Sequence, residues 1–344
     1  MKFFLHGEGI FNFREHAVFS AKNQHHVDVA LVPHLYNHPA RTLISSNTKY
    51  HILAVIPNAI DHKSRDTRMK RVTDALRTLK EWQNRSIQFL IFAPGTSHLN
   101  LLGTELCTEL SHRPNVKIVD IDPWMRGLKS NAKFARLYDN VLIVPYIIRR
   151  NLFTNKIISR NISSMFHGDT GRYDGGRRGA VRDILAHLPA SEFQSTFSVR
   201  NNSTMKYNMY ARTIQSMHMS KTCMCPSGDT PTTRRLYESL ASGCVPIRID
   251  NIQDHNLPFP KLIDWKHLTF KLYPAKMSLA QRHQKPDDDI MALRSREAKY
   301  VMDHFVQNSN LNSMRINGIR SAAEFMNPYR PTKFIDAILL HWFP

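Results

Sequence analysis

The stretch Thr222–Asn251, TCMCPSGDTPTTRRLYESLASGCVPIRIDN, reads in order as an apolar strand, a tight loop, a helix, a Gly-Cys turn, a second apolar strand and a polar loop. Gly228 lets backbone amides approach a ligand, Thr230 suits an N-cap, and Pro231 suits the first helical position, where its missing donor is not needed. A helix start carries unpaired N–H groups and the positive end of the macrodipole. An anion is therefore favoured beside Ser227, Gly228, Asp229, Thr230 and the residues up to Thr233, and a diphosphate has a fitting size. On the helix, Arg234 and Glu238 lie four apart on one face, while Leu236 and Leu240 lie on a face that can meet a core. The plain alternative for Arg234 and Glu238 is a surface pair worth about 0.2–0.5 kcal/mol. Gly243 is a natural left-handed terminator, and Cys244–Ile249 has the continuous apolar character of a strand buried in a parallel sheet.

Similar apolar runs recur on both sides of this stretch. Val27–Pro33, His51–Pro57, Ile87–Phe92, Val116–Ile121 and Val141–Pro145 predict buried parallel strands. So do Ile162–Phe166 and Thr196–Val199, ahead of Thr222–Cys225 and Val245–Ile249. Between strands, Lys70–Trp82 places Val72, Ala75, Leu76, Leu79 and Trp82 on one helical face. The alternation predicts α/β architecture with parallel sheets, repeated twice. The polar, basic segment Arg149–Arg160 sets the boundary, giving residues 1–150 as a first domain and 151–290 as a second. Residues 291–344 read as C-terminal helices packing back across the domains, with turn signals at Asn317-Gly318 and Asn327-Pro328.

With 344 residues and 42% apolar content the chain can build two cores, which excludes a disordered or fibrous class. Its 47 basic residues against 28 acidic ones, a formal charge of +19, favour polyanionic partners. Arg172, Arg177, Arg178 and Arg182 crowd one short segment, where the ordinary outcome is a solvated basic loop. No helix-turn-helix cue, RNA-binding aromatic motif or zinc finger accompanies the charge, so no nucleic-acid partner is expected. The four cysteines, Cys107, Cys223, Cys225 and Cys244, are too few for a disulfide scaffold. Cys223 and Cys225 share one face of a strand and read as buried small hydrophobes, with a Cys223–Cys244 bridge as the alternative in a lumenal protein. Sequons stand at Asn84, Asn161, Asn201 and Asn202. No run approaches the roughly 20 apolar residues of a membrane span, so the chain reads as soluble.

The ordered set Cys223, Pro226, Gly228, Asp229, Thr230, Arg234, Arg235, Leu236, Tyr237, Glu238, Gly243, Cys244, Val245 and Pro246 resembles the signature of exostosin glycosyltransferases. Val27–Pro33, Val141–Tyr146, Phe166-His167-Gly168 followed by Arg182 and Leu185, and Leu257-Pro258-Phe259 through Asp264-Trp265 are similar to further elements of that family, in the same order.

The resemblance implies a GT-B fold, two facing Rossmann-like domains, and inverting transfer of a sugar from a nucleotide donor, with UDP the expected carrier, to a glycan or glycoconjugate acceptor. Arg182 and Arg234 or Arg235 are then expected on the diphosphate, the loop Ser227–Thr230 supplying amides and Glu238 accepting from the ribose hydroxyls. The general base is sought in the first domain, where Glu8, His34, Asp61 and His62 stand near expected strand ends. No metal cofactor is required on this reading. Asp120-Ile121-Asp122 only mimics a metal-chelating Asp-x-Asp, and Asp287-Asp288-Asp289 reads as a solvated turn or helix start. The resemblance points to the Golgi lumen, while the missing anchor leaves a soluble or cytoplasmic protein open. An acidic acceptor and a homo- or hetero-dimer are compatible with it. The rival reading is an exostosin-like module without turnover that binds acidic polysaccharide or assists a partner transferase.

Overall fold

A computed structural model describes residues 2–6, 34–54, 65–92, 98–121, 137, 140–146, 148, 150–153, 159–168, 177–195, 203–227, 233–249, 257–274, 288–327 and 331–342. The chain divides into two compact units, one formed by Met1–Ile147, Asn256–Leu262 and Phe325–Pro344, the other by Ile148–His255 and Ile263–Glu324.

The first unit holds a six-stranded sheet: β1 (Phe3–His6), β2 (Arg41–Thr42), β3 (Tyr50–Ala54), β4 (Gln88–Phe92), β5 (Val116–Asp120) and β6 (Val141–Ile143). The order is β2-β1-β3-β4-β5-β6 and every pairing is parallel. Helices α1 (Arg65–Thr78), α2 (Lys80–Gln83) and α3 (His98–Ser111) lie between strands in the chain. Leu53, Val72, Leu76, Trp82, Phe89, Ile91, Leu106 and Ile118 close the core between helices and sheet. Each such side chain contributes about 1.5–3 kcal/mol on leaving water. The helical run expected over Lys70–Trp82 is broken at Leu79, which is extended. Thr78 Oγ1 donates to the Ala75 carbonyl at 2.7 Å and Gln83 Nε2 to the Arg77 carbonyl at 2.8 Å, so side chains satisfy the last carbonyls of α1 and stop it there.

The second unit holds a five-stranded parallel sheet: β7 (Ile162–Gly168), β8 (Glu192–Ser195), β9 (Ser220–Pro226), β10 (Val245–Ile249) and β11 (Phe270–Leu272), in the order β11-β10-β9-β7-β8. Its helices are α4 (Arg177–His187), α5 (Ser203–Met219), α6 (Arg234–Ser242), α7 (Asp288–Val301) and α8 (Leu311–Phe325); a final helix, α9 (Pro331–Trp342), belongs to the first unit. All five residues of β10 are buried, as a strand covered on both faces requires. The strand expected at Val27–Pro33 and that at Thr196–Val199 lie outside the described residues; β8 immediately precedes the latter.

Two expectations are corrected. Asn317-Gly318 is not a turn: α8 runs through it, because a Cβ on Gly318 would lie 2.9 Å from Leu240 Cδ2. The glycine is there for close approach of α8 to α6. Cys223 is not a free thiol, since it is bonded to Cys244 across the start of the β9–β10 pair, with Cα atoms 5.8 Å apart. Cys107 and Cys225 remain reduced and buried, and burial pushes each thiol up to about 12.

In the first unit His6 Nε2 and His51 Nδ1 share a hydrogen bond of 2.8 Å beside Phe89. Burial first, then the His51 charge, lower His6 from 6.5 to about 4, with Glu81 opposing. Between these values the unfolded chain takes up a proton that the folded chain refuses. Stability is therefore complete above about pH 6.5 and is lost as pH falls toward about 4, by a few kcal/mol. Thermal melts near pH 7 and pH 5 should show a drop in Tm that shrinks in His6→Leu; an equal drop in both proteins would contradict this assignment.

Candidate functional site

In the second sheet the chain runs from β7 to β8 on one side and then to β9 on the other, so its winding reverses between β7 and β9. In open α/β sheets the carboxyl ends of the strands at such a reversal bound a ligand crevice. Here those ends are His167-Gly168 on β7 and Pro226 on β9, with Ser227 directly after it.

Helix α6 follows β9 at that edge. Every residue from Leu236 to Ser242 is buried, while the side chains of Arg234 and Arg235 in its first turn keep 21% and 17% exposure. Burial on all sides seats the helix and leaves its two guanidinium groups at the mouth. Its N-cap is Thr233, extended and without a side-chain cap bond. The expected start at Thr230 and Pro231 is thus corrected to a later one, and those two residues, with Gly228 and Asp229, lie outside the described ones. Side chains staple this first turn in place of a cap hydroxyl.

The staple is Glu238, whose side chain is 1% exposed. Its Oε1 accepts from Arg234 Nε at 2.9 Å and from the Tyr210 hydroxyl at 3.3 Å, and its Oε2 accepts from Arg235 Nη1 at 3.1 Å. The Arg234 guanidinium also lies 5.9 Å from the Tyr210 ring centroid. Arg235 Nη2 donates to the His167 carbonyl at 2.8 Å, linking α6 to the end of β7. This is no surface pair: one buried carboxylate meets two cations, so the group carries a surplus positive charge in a poorly hydrated place.

Other sequence-expected residues are placed differently. Arg178, on α4, is buried and donates through Nη2 to the Ser227 carbonyl at 3.3 Å, tying the end of β9 to α4. Ser227 is itself buried. Arg182, half exposed, pairs with its neighbour Asp183 at 2.7 Å. His34 is exposed in the first unit. Glu8, Asp61 and His62 lie outside the described residues. Asp120 is buried at the end of β5, and Asp122 lies outside the described residues. Among the described residues no group of three His, Cys, Asp or Glu side chains is placed to hold a metal.

Behind the site stands a frame that the motif reading did not anticipate. Arg160 is buried and donates to the carbonyls of Met217 and Ser220 at 2.8 and 2.7 Å through Nη1, and to that of Ser242 at 2.7 Å through Nη2. Burial, then the charge of Arg315, lowers its pKa to about 10. Gly243, with φ of 71°, ends α6 where a Cβ would lie 2.9 Å from Arg160 Nη2. That contact, added to the left-handed backbone, explains the glycine. The Tyr210 hydroxyl and the His167 carbonyl were also missed, because no local pattern marks a partner 28 or more residues away.

Each of the two α/β units carries an all-parallel sheet, and a cationic group stands at the winding reversal of the second. The Exostosin GT47 domain model matches residues 12–282. The chain belongs to the exostosin GT47 family. It is 30% identical over 206 residues to a protein of Arabidopsis thaliana named probable arabinosyltransferase ARAD1, a match covering 59% of this chain and 41% of that one. Against a probable glucuronosyltransferase of Oryza sativa subsp. japonica it is 34% identical over 137 residues, covering 39% and 31%. The matches thus span less than half the length of these curated relatives. Among solved structures, the pneumococcal O-GlcNAc transferase GtfA in complex with UDP and GlcNAc is similar over 85% of this chain and 56% of that chain, at 10% identity and a TM-score of 0.42.

Replacing Glu238 by Gln keeps the shape and leaves two guanidinium groups without their counter-charge. Removing one partner of a wholly buried pair costs ~3–5 kcal/mol, and partial hydration of both arginines lowers the expected loss to about 2 kcal/mol. Urea denaturation should read this loss directly, and an unchanged midpoint would contradict the clamp.

Proposed function

We propose that this chain is a glycosyltransferase that moves a sugar from a nucleotide donor, with UDP as carrier, to a glycan or glycoconjugate acceptor with inversion at the anomeric carbon. The observation that carries the reading is the clamped pair Arg234 and Arg235 at the mouth of α6, beside the strand ends where α/β sheets bind ligands. Guanidinium groups match phosphate oxygens bidentately, and charge-assisted bonds of about 1.5–3 kcal/mol each suffice for donor binding at tens of micromolar. Arg234 and Arg235 then meet the diphosphate together with Arg182, and the segment Ser227, Gly228, Asp229 and Thr230 lends backbone donors. We assign Glu238 the orienting of both arginines in place of a ribose contact, since both its oxygens already accept from protein donors.

In the reaction the acceptor oxygen forms a bond to the anomeric carbon as the bond to the nucleoside diphosphate breaks. The acceptor proton passes to a carboxylate or imidazole, for which His34 and Asp61 of the first unit are the candidates. The leaving diphosphate carries the developing charge, and fixed cations offset it without a resident metal ion. The names of the two plant relatives frame the transferred sugar as a pentose or a uronic acid. The surplus of basic residues favours an acidic acceptor.

The Cys223–Cys244 bridge supports an oxidising compartment such as the Golgi lumen. No described helix is long and apolar enough to cross a membrane. A second reading, a module that binds polysaccharide without turnover, would dispense with the nucleotide.

Purified protein assayed with a panel of nucleotide sugars in excess EDTA should transfer or hydrolyse one of them. Arg235→Ala should raise the donor KM at least about tenfold, the loss of one charge-assisted contact. Wild-type kinetics in Arg235→Ala would overturn the donor assignment, and no response to any nucleotide sugar would favour the binding module.

A further inference from the structure

Arg235 owes its position to a carbonyl whose own placement is not explained by the sheet alone. Strand β7 pairs with β9 only as far as Met165, although it continues beside β8 to Gly168. The His167 carbonyl that accepts from Arg235 therefore lies beyond the last β7–β9 rung.

The ring of the same residue is fully buried and held from two sides. Nε2 lies 3.1 Å from Glu192 Oε1 on β8, and Nδ1 lies 3.1 Å from Thr213 Oγ1 on α5. Burial lowers the pKa of His167, with Arg235 and Arg212 adding to it and Glu192 opposing, so the ring is neutral near pH 7 and carries one proton. A carboxylate can only accept, which puts that proton on Nε2, where it is donated to Glu192. The Thr213 hydroxyl donates its proton to the Met209 carbonyl at 2.8 Å and sets its oxygen against Nδ1. Glu192 is in turn held by Arg212, at 3.2 Å from Nε and 3.1 Å from Nη2. A continuous chain of contacts thus runs from exposed Arg212 through Glu192 and His167 to Arg235 and Glu238.

We propose that His167 is a positioning residue of the donor site: its ring, locked between Glu192 and Thr213, fixes the carbonyl that aims the Arg235 guanidinium. The inference rests on the reading of Arg235 as a donor ligand. It makes His167 act through Arg235 and not on the donor itself, so its effect on nucleotide binding exists only while Arg235 is present.

The full chain is titrated with UDP by calorimetry as wild type, His167→Ala, His167→Gln, Arg235→Ala and the double variant His167→Ala/Arg235→Ala. The expected result is that His167→Ala weakens UDP about tenfold and that the same change costs nothing further once Arg235 is gone. His167→Gln, whose amide can still donate to Glu192, should recover most of the affinity. Wild-type affinity in His167→Ala, or losses that multiply in the double variant, overturn the inference while leaving the donor site standing. Unchanged affinity in Arg235→Ala overturns the donor reading and this inference together. Should His167→Ala lose its thermal transition, Glu192→Gln at a partly exposed residue carries the test: severalfold weaker UDP binding supports the chain of contacts, and wild-type affinity refutes it.

Discussion

A carboxylate with almost no access to water, Glu238, holds two guanidinium groups at the head of a helix that is otherwise buried. Burying such a charge is costly unless it is paired, and pairing it twice fixes both partners in direction as well as in place. The surrounding structure serves that arrangement. Leu236, Tyr237 and Leu240 bury the flanks of α6, and Gly318 admits α8 against it. Gly243 and the bond of Arg160 to the Ser242 carbonyl end it, and the Cys223–Cys244 bridge ties the strands on either side. A helix so seated presents its arginines with little freedom left to lose on binding, which is what preorganisation contributes to affinity.

Much of this was legible from local patterns. The apolar runs of β3, β4, β5, β7, β9 and β10 announced parallel sheets because a strand covered on both faces can carry almost no polar residue. Gly243 was legible as a terminator because only a residue without Cβ is relaxed at that backbone angle. The grouping of Arg234, Arg235 and Glu238 followed from helical spacing together with the family signature.

The rest depended on contacts distant in sequence. Nothing around Gly318 says that Leu240 lies against it, so the pair Asn317-Gly318 carried the signal of a turn. Spacing likewise could not choose between buried thiols and a bridge for Cys223. Register decides that: β9 and β10 align Cys223 with Pro246 and bring Cys244 within reach. The helix start was misplaced because Thr230 and Pro231 have ideal local chemistry, while the observed first turn is held by side chains one turn further in. Tyr210, Arg178 and the His167 carbonyl join the site from three other elements, and no periodicity within any one element marks them.

The central claim is that the clamped arginines at the mouth of α6 hold a diphosphate. Comparing the affinities of uridine, UMP and UDP for the wild type and for a variant with Arg234 and Arg235 both changed to Met isolates that contribution from the recognition of the base. The account predicts that affinity rises at least about tenfold per added phosphate in the wild type and that the rise disappears in the variant. An equal rise in both proteins would place the diphosphate elsewhere and contradict it.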